Sequence, residues 1–292
     1  MTSSGRICGK ALASLLCCSS LWAGGGCDGS GGEARDTGSR PPGPESEASG
    51  AEGLSRIVSL VPSTTQILLA LGGQELLVGR TDYDTSAVLA HLPSVGGGLQ
   101  PSMESLVVLE PDLVIRFAGD SDRATPGRLD DLGIAHLAVR PDRIADVRAL
   151  TEELGHLTGR ETEAASLIDE MDATLAEIRR RIHGREAVKV AYVLGDHPPW
   201  VAGPDTFINE LLVAAGGENV FSDLTGLYGP VSPEEFLVRK IDLILTPEGG
   251  AVVLPNSEIP VARVSPSVEI PGPYLALSAW ELAAIMHPEV FR

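Results

Sequence analysis

From residue 54 onward the apolar residues come in short unbroken runs, separated by stretches where they recur every three or four positions. The runs fall at 56–61 (RIVSLV), 76–79, 92–95, 113–117, 135–139, 188–194 and 261–264, and are rich in Val, Ile and Leu. Runs of that length, apolar at successive positions, predict strands buried on both faces. Between them the spacing predicts helices over 66–71, 127–132, 144–183, 206–215 and 274–286. The first of these is capped by Pro62-Ser63-Thr64-Thr65 and stops at Gly72-Gly73, as the 206–215 helix stops at Gly216-Gly217. Polar loops follow at Arg80-Thr81-Asp82-Tyr83, at 118–125, at 195–205 around Pro198-Pro199-Trp200, and at 265–273. Strands alternating with helices predict an α/β fold with mostly parallel sheets flanked by helices.

One pattern occurs twice. PSMESLVVLEPDLVI at 101–115 and VSPEEFLVRKIDLIL at 231–245 align without a gap, so that Ser102 meets Ser232, Glu104 meets Glu234, and Asp112 meets Asp242. Each copy reads as a serine cap, a short helix with a carboxylate in its first turn, and a buried strand. In the second copy Pro233 opens the helix and Ser232 with Glu235 forms a capping box. Between the copies, 144–183 reads as one helical segment. Its later part has Ala164, Leu167, Ile168, Met171, Leu175 and Ile178 on one stripe. From 160 to 181 it would be about 33 Å long, the width of a domain. The expected organisation is therefore two similar lobes, 54–159 and 185–292, joined by a stiff helix at 160–184.

The beginning of the chain follows different rules. Residues 1–27 read as a secretory signal: Arg6 and Lys10, then a small-and-apolar run at 11–23, too short to span a bilayer. Gly24-Gly25-Gly26-Cys27 resembles a bacterial lipobox with Cys27 as the lipidated residue, although Gly24 stands where Leu is usual. Cleavage without lipid is the alternative. Residues 28–53 contain no large aliphatic or aromatic side chain, so they cannot bury enough surface to offset ordering. They read as a disordered tether that spans, as a Gly-rich coil, about 25–30 Å.

Composition narrows the function. The formal net charge is −18, and no Lys/Arg cluster is present to neutralise phosphate, which excludes nucleic acid as a partner. All four cysteines lie at or before Cys27, so the globular part has neither disulfide nor thiolate metal site. Of the six histidines no two share ligand spacing, so no metal held by the protein's own side chains is expected. GxSxG, HExxH and GxxxxGK[ST] are absent. Gly119-Asp120-Ser121 after a strand resembles the nucleophile block of GDSL-type hydrolases. That class also needs Asp three places before a late His, and Ala284 stands there before His287. No catalytic residue is therefore assigned, and the chain is read as a binding protein, not an enzyme.

Aromatic residues make up only 4% of the chain, so their positions carry weight. Tyr83, Phe117, Trp200 and Tyr228 follow strands or precede the repeated helix. Ligands of open parallel sheets bind at the carboxyl ends of strands, and flat aromatic faces suit a large, flat, partly apolar ligand. The same residues could simply plug loop cores. Glu104 and Glu234 are each explained by the helix dipole alone. That role does not require the same acid in both halves, and a matched pair could grip two basic residues of a partner.

RIVSLVPSTTQILLALG, VGRTDY, LPSVGGGLQPSMESLVVLEPDLVI and LLVAAGGENVF, within 56–286, resemble the ABC-importer substrate-binding proteins for cobalamin, haem and ferric siderophores, the cobalamin branch most closely. The resemblance implies two α/β lobes on one rigid helix, a corrinoid held between them, and delivery to an ABC permease dimer with cytoplasmic ATPases. It implies that Glu104 and Glu234 dock onto permease arginines. It places Ser63, Tyr83, Gly97, Phe117, Trp200, Tyr228, Ser267 and Glu269 at the ligand. No cofactor of the protein's own is expected, because the metal arrives inside the ligand. A monomer, held at the bacterial cell envelope by lipid on Cys27, is the expected state. Two departures leave the ligand open: Gly97-Gly98 stand where the branch has Trp, and Ser265-Pro266-Ser267-Val268-Glu269 replaces a loop that usually carries Asp and Trp. Haem, with Tyr83 or Tyr228 as axial ligand, or a ferric siderophore, with Arg80 and Arg116 in the cleft, are the alternatives.

Overall fold

The computed structural model describes residues 54–119, 122–196, 198–249 and 258–291. The signal segment with Cys27, the tether, and Asp120-Ser121 of the hydrolase-like fragment lie outside the described residues.

The first lobe is built from β1 (Ile57–Ser59), α1 (Pro62–Ala70), β2 (Leu77–Gly79), α2 (Met103–Leu109), β3 (Leu113–Phe117), α3 (Thr125–Asp131), β4 (His136–Val139) and α4 (Ile144–Thr158). Its four strands form a fully parallel sheet in the order β2-β1-β3-β4. After α5 (Glu161–Ile182) come β5 (Val188–Asp196), β6 (Pro199–Ala202), α6 (Phe207–Ala214), β7 (Gly217–Asn219), β8 (Tyr228–Pro230), α7 (Glu235–Val238), β9 (Leu243–Pro247), β10 (Val261–Val264) and α8 (Leu275–Met286). This sheet is mixed. β10, β9, β5 and β7 run parallel, whereas β6 and β8 extend it antiparallel.

Successive residues of the central strands enter different cores, which is why the strands read as unbroken apolar runs. Ile57, Leu113 and Ile115 join the large core, while Val58 and Val114 face an outer one with Leu106 and Leu129. In the second lobe Val190 and Tyr192 join the large core, while Ala191 and Val193 face Phe221 and Phe236. The large core is shared: Ile67 and Leu68 of α1, Leu150 and Leu154 of α4, Met171 and Ile178 of α5, Leu211 of α6 and Leu282 of α8 belong to it together. α5 packs on α4 from one lobe and on α8 and α6 from the other.

The lobes are also joined by polar contacts. The Arg143 guanidinium donates to Asp205 at 2.7 Å and to Glu210 at 3.0 Å. The second oxygen of Glu210 accepts the Ile144 N–H at 2.7 Å, satisfying an otherwise orphaned donor at the start of α4.

The repeat has one structural meaning at its aspartates. Asp112 accepts the backbone N–H groups of Ser55 and Arg56, each at 2.9 Å, tying the start of β3 to the start of β1. Asp242 accepts the Lys189 N–H at 3.0 Å and does the same for β9 and β5.

Several local expectations are corrected. The 144–183 segment is not one helix, because Gly159 adopts φ 65° and ends α4 before α5 begins. α1 starts at Pro62, so Ser63, Thr64 and Thr65 lie inside its first turn instead of capping it. Expected strand 92–95 is reduced to a bridge between Arg80 and Ser94. The 195–205 loop is a hairpin: β5 continues to Asp196 and β6 returns through Trp200. The capping box of Ser232 with Glu235 is absent. Ser232 Oγ bonds the Glu234 carboxylate, and Glu235 pairs with Arg239 at 2.9 Å. Glu234 is therefore the N-cap of α7, not a first-turn residue.

Candidate ligand cleft

Three adjoining cavities run from one lobe to the other. The first, about 610 Å³, is lined by Leu60, Val61, Pro62, Tyr83, Gly97, Leu99 and Phe117, among others. A bridging cavity of about 320 Å³ shares Val61, Pro62 and Phe117 with it and adds Ser63 and Asp142 from the first lobe and Phe207, Glu269 and Ile270 from the second. A third, about 540 Å³, shares Glu269 and adds Leu194, Trp200, Ile208 and Tyr228. The shared residues make these one trough across the lobe boundary, on the scale of sites that take cofactor-sized ligands.

Each wall has a local cause. Tyr83 rides on a turn closed by Asp84, whose buried carboxylate accepts the Thr81 N–H at 2.9 Å and the Thr81 hydroxyl at 2.7 Å. Asp82 accepts from Ser94 Oγ at 2.6 Å and ties that turn to the next segment. The turn leaves the Tyr83 side chain 70% exposed, held over the cavity without being packed into a core. Phe117 ends β3, at the carboxyl edge where parallel sheets bind ligands. Gly98 is required by a close approach: a Cβ there would stand 2.2 Å from the Leu60 carbonyl oxygen. Gly97 has nothing within 4 Å of a Cβ position, so its missing side chain leaves open space in the first cavity.

In the second lobe the unexpected hairpin puts Trp200 on β6 beside Tyr228 on β8. β6 pairs Trp200 with Pro230 and Ala202 with Tyr228, so Trp200 and Tyr228 both reach the trough from antiparallel neighbours. Glu269 ends a short turn, Pro266–Glu269, and accepts from the fully buried Tyr192 through its hydroxyl at 3.4 Å. Burial raises the Glu269 carboxyl above the ordinary carboxylate range, partly offset by that hydrogen bond. Burial, then the charge of Glu269, pushes the Tyr192 hydroxyl well above its usual range. Tyr228 is pushed up to about 12, first by burial and then by Asp142 and Glu269.

Among the described residues lining the three cavities there is no Lys, Arg or His. Two carboxylates are present. Asp142 pairs with Arg140, 2.5 Å away, whereas among the described residues Glu269 has no cation beside it. Among the described residues no three His, Cys, Asp or Glu side chains gather to hold a metal ion.

Of the eight residues expected at the ligand, Ser63, Tyr83, Gly97, Phe117, Trp200, Tyr228 and Glu269 line this trough. Ser267 does not; it is exposed and its hydroxyl pairs with Ser265 Oγ at 2.9 Å. Arg80 and Arg116 line none of the three cavities. Arg116 turns to His136 Nδ1 at 3.2 Å and to Asp122 at 3.6 Å. Asp142, Phe207 and Tyr192 carried no separate sequence signal; Tyr192 meets Glu269 from 77 positions away, and Asp142 and Phe207 reach one cavity from opposite lobes.

Glu104 and Glu234 are both exposed and line none of the three cavities. Glu104 lies in the first turn of α2, after Ser102 Oγ accepts the Ser105 N–H at 3.1 Å. Among the described residues neither carboxylate meets a cation. Glu234 has only the Ser232 hydroxyl, whose hydrogen bond lowers its pKa.

The chain matches the family model described as periplasmic binding protein over residues 57–251. A cobalamin-binding protein of Halobacterium salinarum is 34% identical over 200 residues, covering 65% of this chain and 53% of its own. The chain thus spans about half the length of that relative. An uncharacterized ABC transporter substrate-binding lipoprotein of Bacillus subtilis is 28% identical, covering 81% of each chain. Among solved structures, the periplasmic vitamin B12 binding protein of Vibrio cholerae superposes with TM-score 0.69 at 21% identity, covering 80% of this chain and 96% of that one. A periplasmic heme binding protein from Pseudomonas aeruginosa reaches TM-score 0.71, also at 21% identity, covering 81% and 94%. At those identities the structures speak for the fold alone: two α/β lobes. With two-thirds of the sequence inside the family model, the chain belongs to the periplasmic binding protein family.

Proposed function

We propose that this protein is an extracytoplasmic solute receptor that takes a corrinoid into the trough between its lobes and delivers it to an ABC permease dimer. The observation that carries this reading is the chemistry of the trough. Tyr83, Phe117, Trp200 and Tyr228 offer broad aromatic surface, and among the described residues Glu269 has no cation beside it and no basic side chain lines the cavities. A corrin ring is large and partly apolar, and its periphery carries neutral amides whose N–H groups can donate to a half-buried carboxylate. Haem propionates and most ferric siderophores are anionic. Each would lie against Glu269 with no cation among the described lining residues to offset the charge. Tyr228, with its pKa pushed up to about 12, is a poor source of the phenolate that a haem iron would need. The 34%-identical cobalamin-binding relative supports the same choice.

On this reading the protein binds and does not catalyse, carries no cofactor of its own, and acts as a monomer. The metal stays with the ligand. Cys27 carries the lipid that holds the receptor at the bacterial cell envelope, and the B. subtilis lipoprotein relative supports that placement. Glu104 and Glu234 face the permease.

The test is an absorption spectrum of protein incubated separately with cobalamin, haem and a ferric siderophore, then desalted. Corrin bands should remain with the protein. Retention of the haem or siderophore spectrum in place of the corrin bands overturns the ligand assignment.

A further inference from the structure

Glu104 and Glu234 are not the only features the two copies share. One helical turn beyond each glutamate stands a pair of exposed aliphatic residues, at i+3 and i+4. Val107 is 48% exposed and Val108 81%; their counterparts Leu237 and Val238 are 54% and 78% exposed. The residue before each pair is the one that anchors the helix: Leu106 and Phe236 are buried in the outer cores of their respective sheets. A single exposed valine is unremarkable on a protein surface. Here, however, the same exposure recurs at the same register in two helices that otherwise differ in length and sequence. Core packing does not require it, because Leu106 and Phe236 already fill that role.

We infer that each lobe presents a two-part docking face, a carboxylate and an aliphatic pair on one turn, and that both faces bind a membrane permease displaying the same complementary surface twice. This rests on the receptor reading above and adds to it the apolar half of the contact. Positions i, i+3 and i+4 lie on one side of a helical turn, so Glu104 in the first turn of α2 shares a side with Val107 and Val108, and Glu234, the N-cap of the four-residue α7, leads into Leu237 and Val238 at the same spacing. Among the described residues neither carboxylate has a cation of its own, so each is available to a basic side chain from outside. Duplication of the face within one chain calls for duplication in the partner, as a dimeric permease provides. The two halves respond differently to salt: charge attraction is screened, and burial of aliphatic surface is not.

The experiment uses the lipidated receptor loaded with cobalamin and the source cell's own cobalamin importer, permease and ATPase together, in lipid nanodiscs. The readout is the receptor concentration that half-saturates ATPase stimulation, at low salt and at about 1 M salt, where the Debye length falls to about 3 Å. Replacing Val107, Val108, Leu237 and Val238 by Ser should leave cobalamin binding unchanged and raise that concentration about tenfold or more. It should also remove the docking that wild type retains at high salt. Glu104→Ala with Glu234→Ala should instead remove the salt-sensitive part. If the serine variant docks like wild type at both salt strengths while the alanine variant does not, the apolar half is wrong and the receptor reading stands. If loaded wild type does not stimulate the importer at all, the receptor reading falls and this inference with it.

Discussion

At the scale of single residues the informative positions are acids. Asp112 is exposed, yet its pKa is lowered, first by the backbone and side-chain hydrogen bonds of Ser55 and then, against a small desolvation cost, by Arg56. A depressed carboxylate contributes stability above its unfolded pKa and loses it as pH falls through the folded value. Asp112→Ala should therefore cost about 1 kcal/mol at neutral pH, allowing for solvent screening. In urea melts the gap from wild type should close as the pH is taken below the ordinary carboxylate range; a gap independent of pH would deny the charged carboxylate this role. Glu269 has the opposite character, with its pKa raised by burial. Glu269→Lys places a cation in a trough that has none among its described lining. Equilibrium titration should show cobalamin affinity falling at least about tenfold and haem retention rising. The equivalence of Asp112 and Asp242 was legible in the repeat. The Tyr192–Glu269 contact was not, because those residues lie 77 positions apart and meet only across the folded lobe.

Elements show where periodicity was sufficient and where it failed. Val, Ile and Leu runs located the central strands because burial on both faces leaves no polar alternation to misread. The helical stripe over 144–183 was equally plain, but periodicity runs through Gly159 without noticing its left-handed conformation. Nothing lies within 4 Å of a Cβ at Gly159, so the objection to a side chain is the backbone angle alone. Gly159→Ala should cost about 1 kcal/mol in denaturant melts. No loss would mean that the α4–α5 break tolerates an L residue. The hairpin of β5 and β6 was hidden by Pro198-Pro199, which read as loop; yet Pro199 pairs with Asp196 at the hairpin's end, where a missing N–H is tolerated. That hairpin makes a spectroscopic prediction. Trp280 packs edge-on to Phe291 at 5.0 Å beneath Arg181 and is not among the trough lining, whereas Trp200 lines it. Cobalamin should quench the fluorescence of Trp200, and Trp200→Phe should abolish most of the change. Quenching that persists undiminished in that variant would place the ligand elsewhere.

For the whole molecule, the expectation concerns attachment. With Cys27 lipidated and 28–53 as tether, wild-type protein should partition into detergent and Cys27→Ser should be released in soluble form. Mass spectrometry showing an unmodified wild-type N-terminus would rule out the anchor. The architecture of two α/β lobes and the internal repeat were determined by the sequence itself, whereas Phe117 and Trp200, expected to follow strands, lie within β3 and β6. Burial periodicity, helix stops and strand ends are local, and each is written within a few neighbouring residues. What only the tertiary structure decided is the character of the trough. Phe117 and Phe207, Ser63 and Glu269, are brought to one cavity by elements from opposite ends of the chain. Its charge depends on which side chains are turned away as much as on which are present: Arg116 is drawn to His136 and Asp122, and Arg140 to Asp142. Composition counts those arginines without saying where they point. Arg116 takes its direction from His136, 20 residues further on, a pairing that exists only once β3 and β4 have come together.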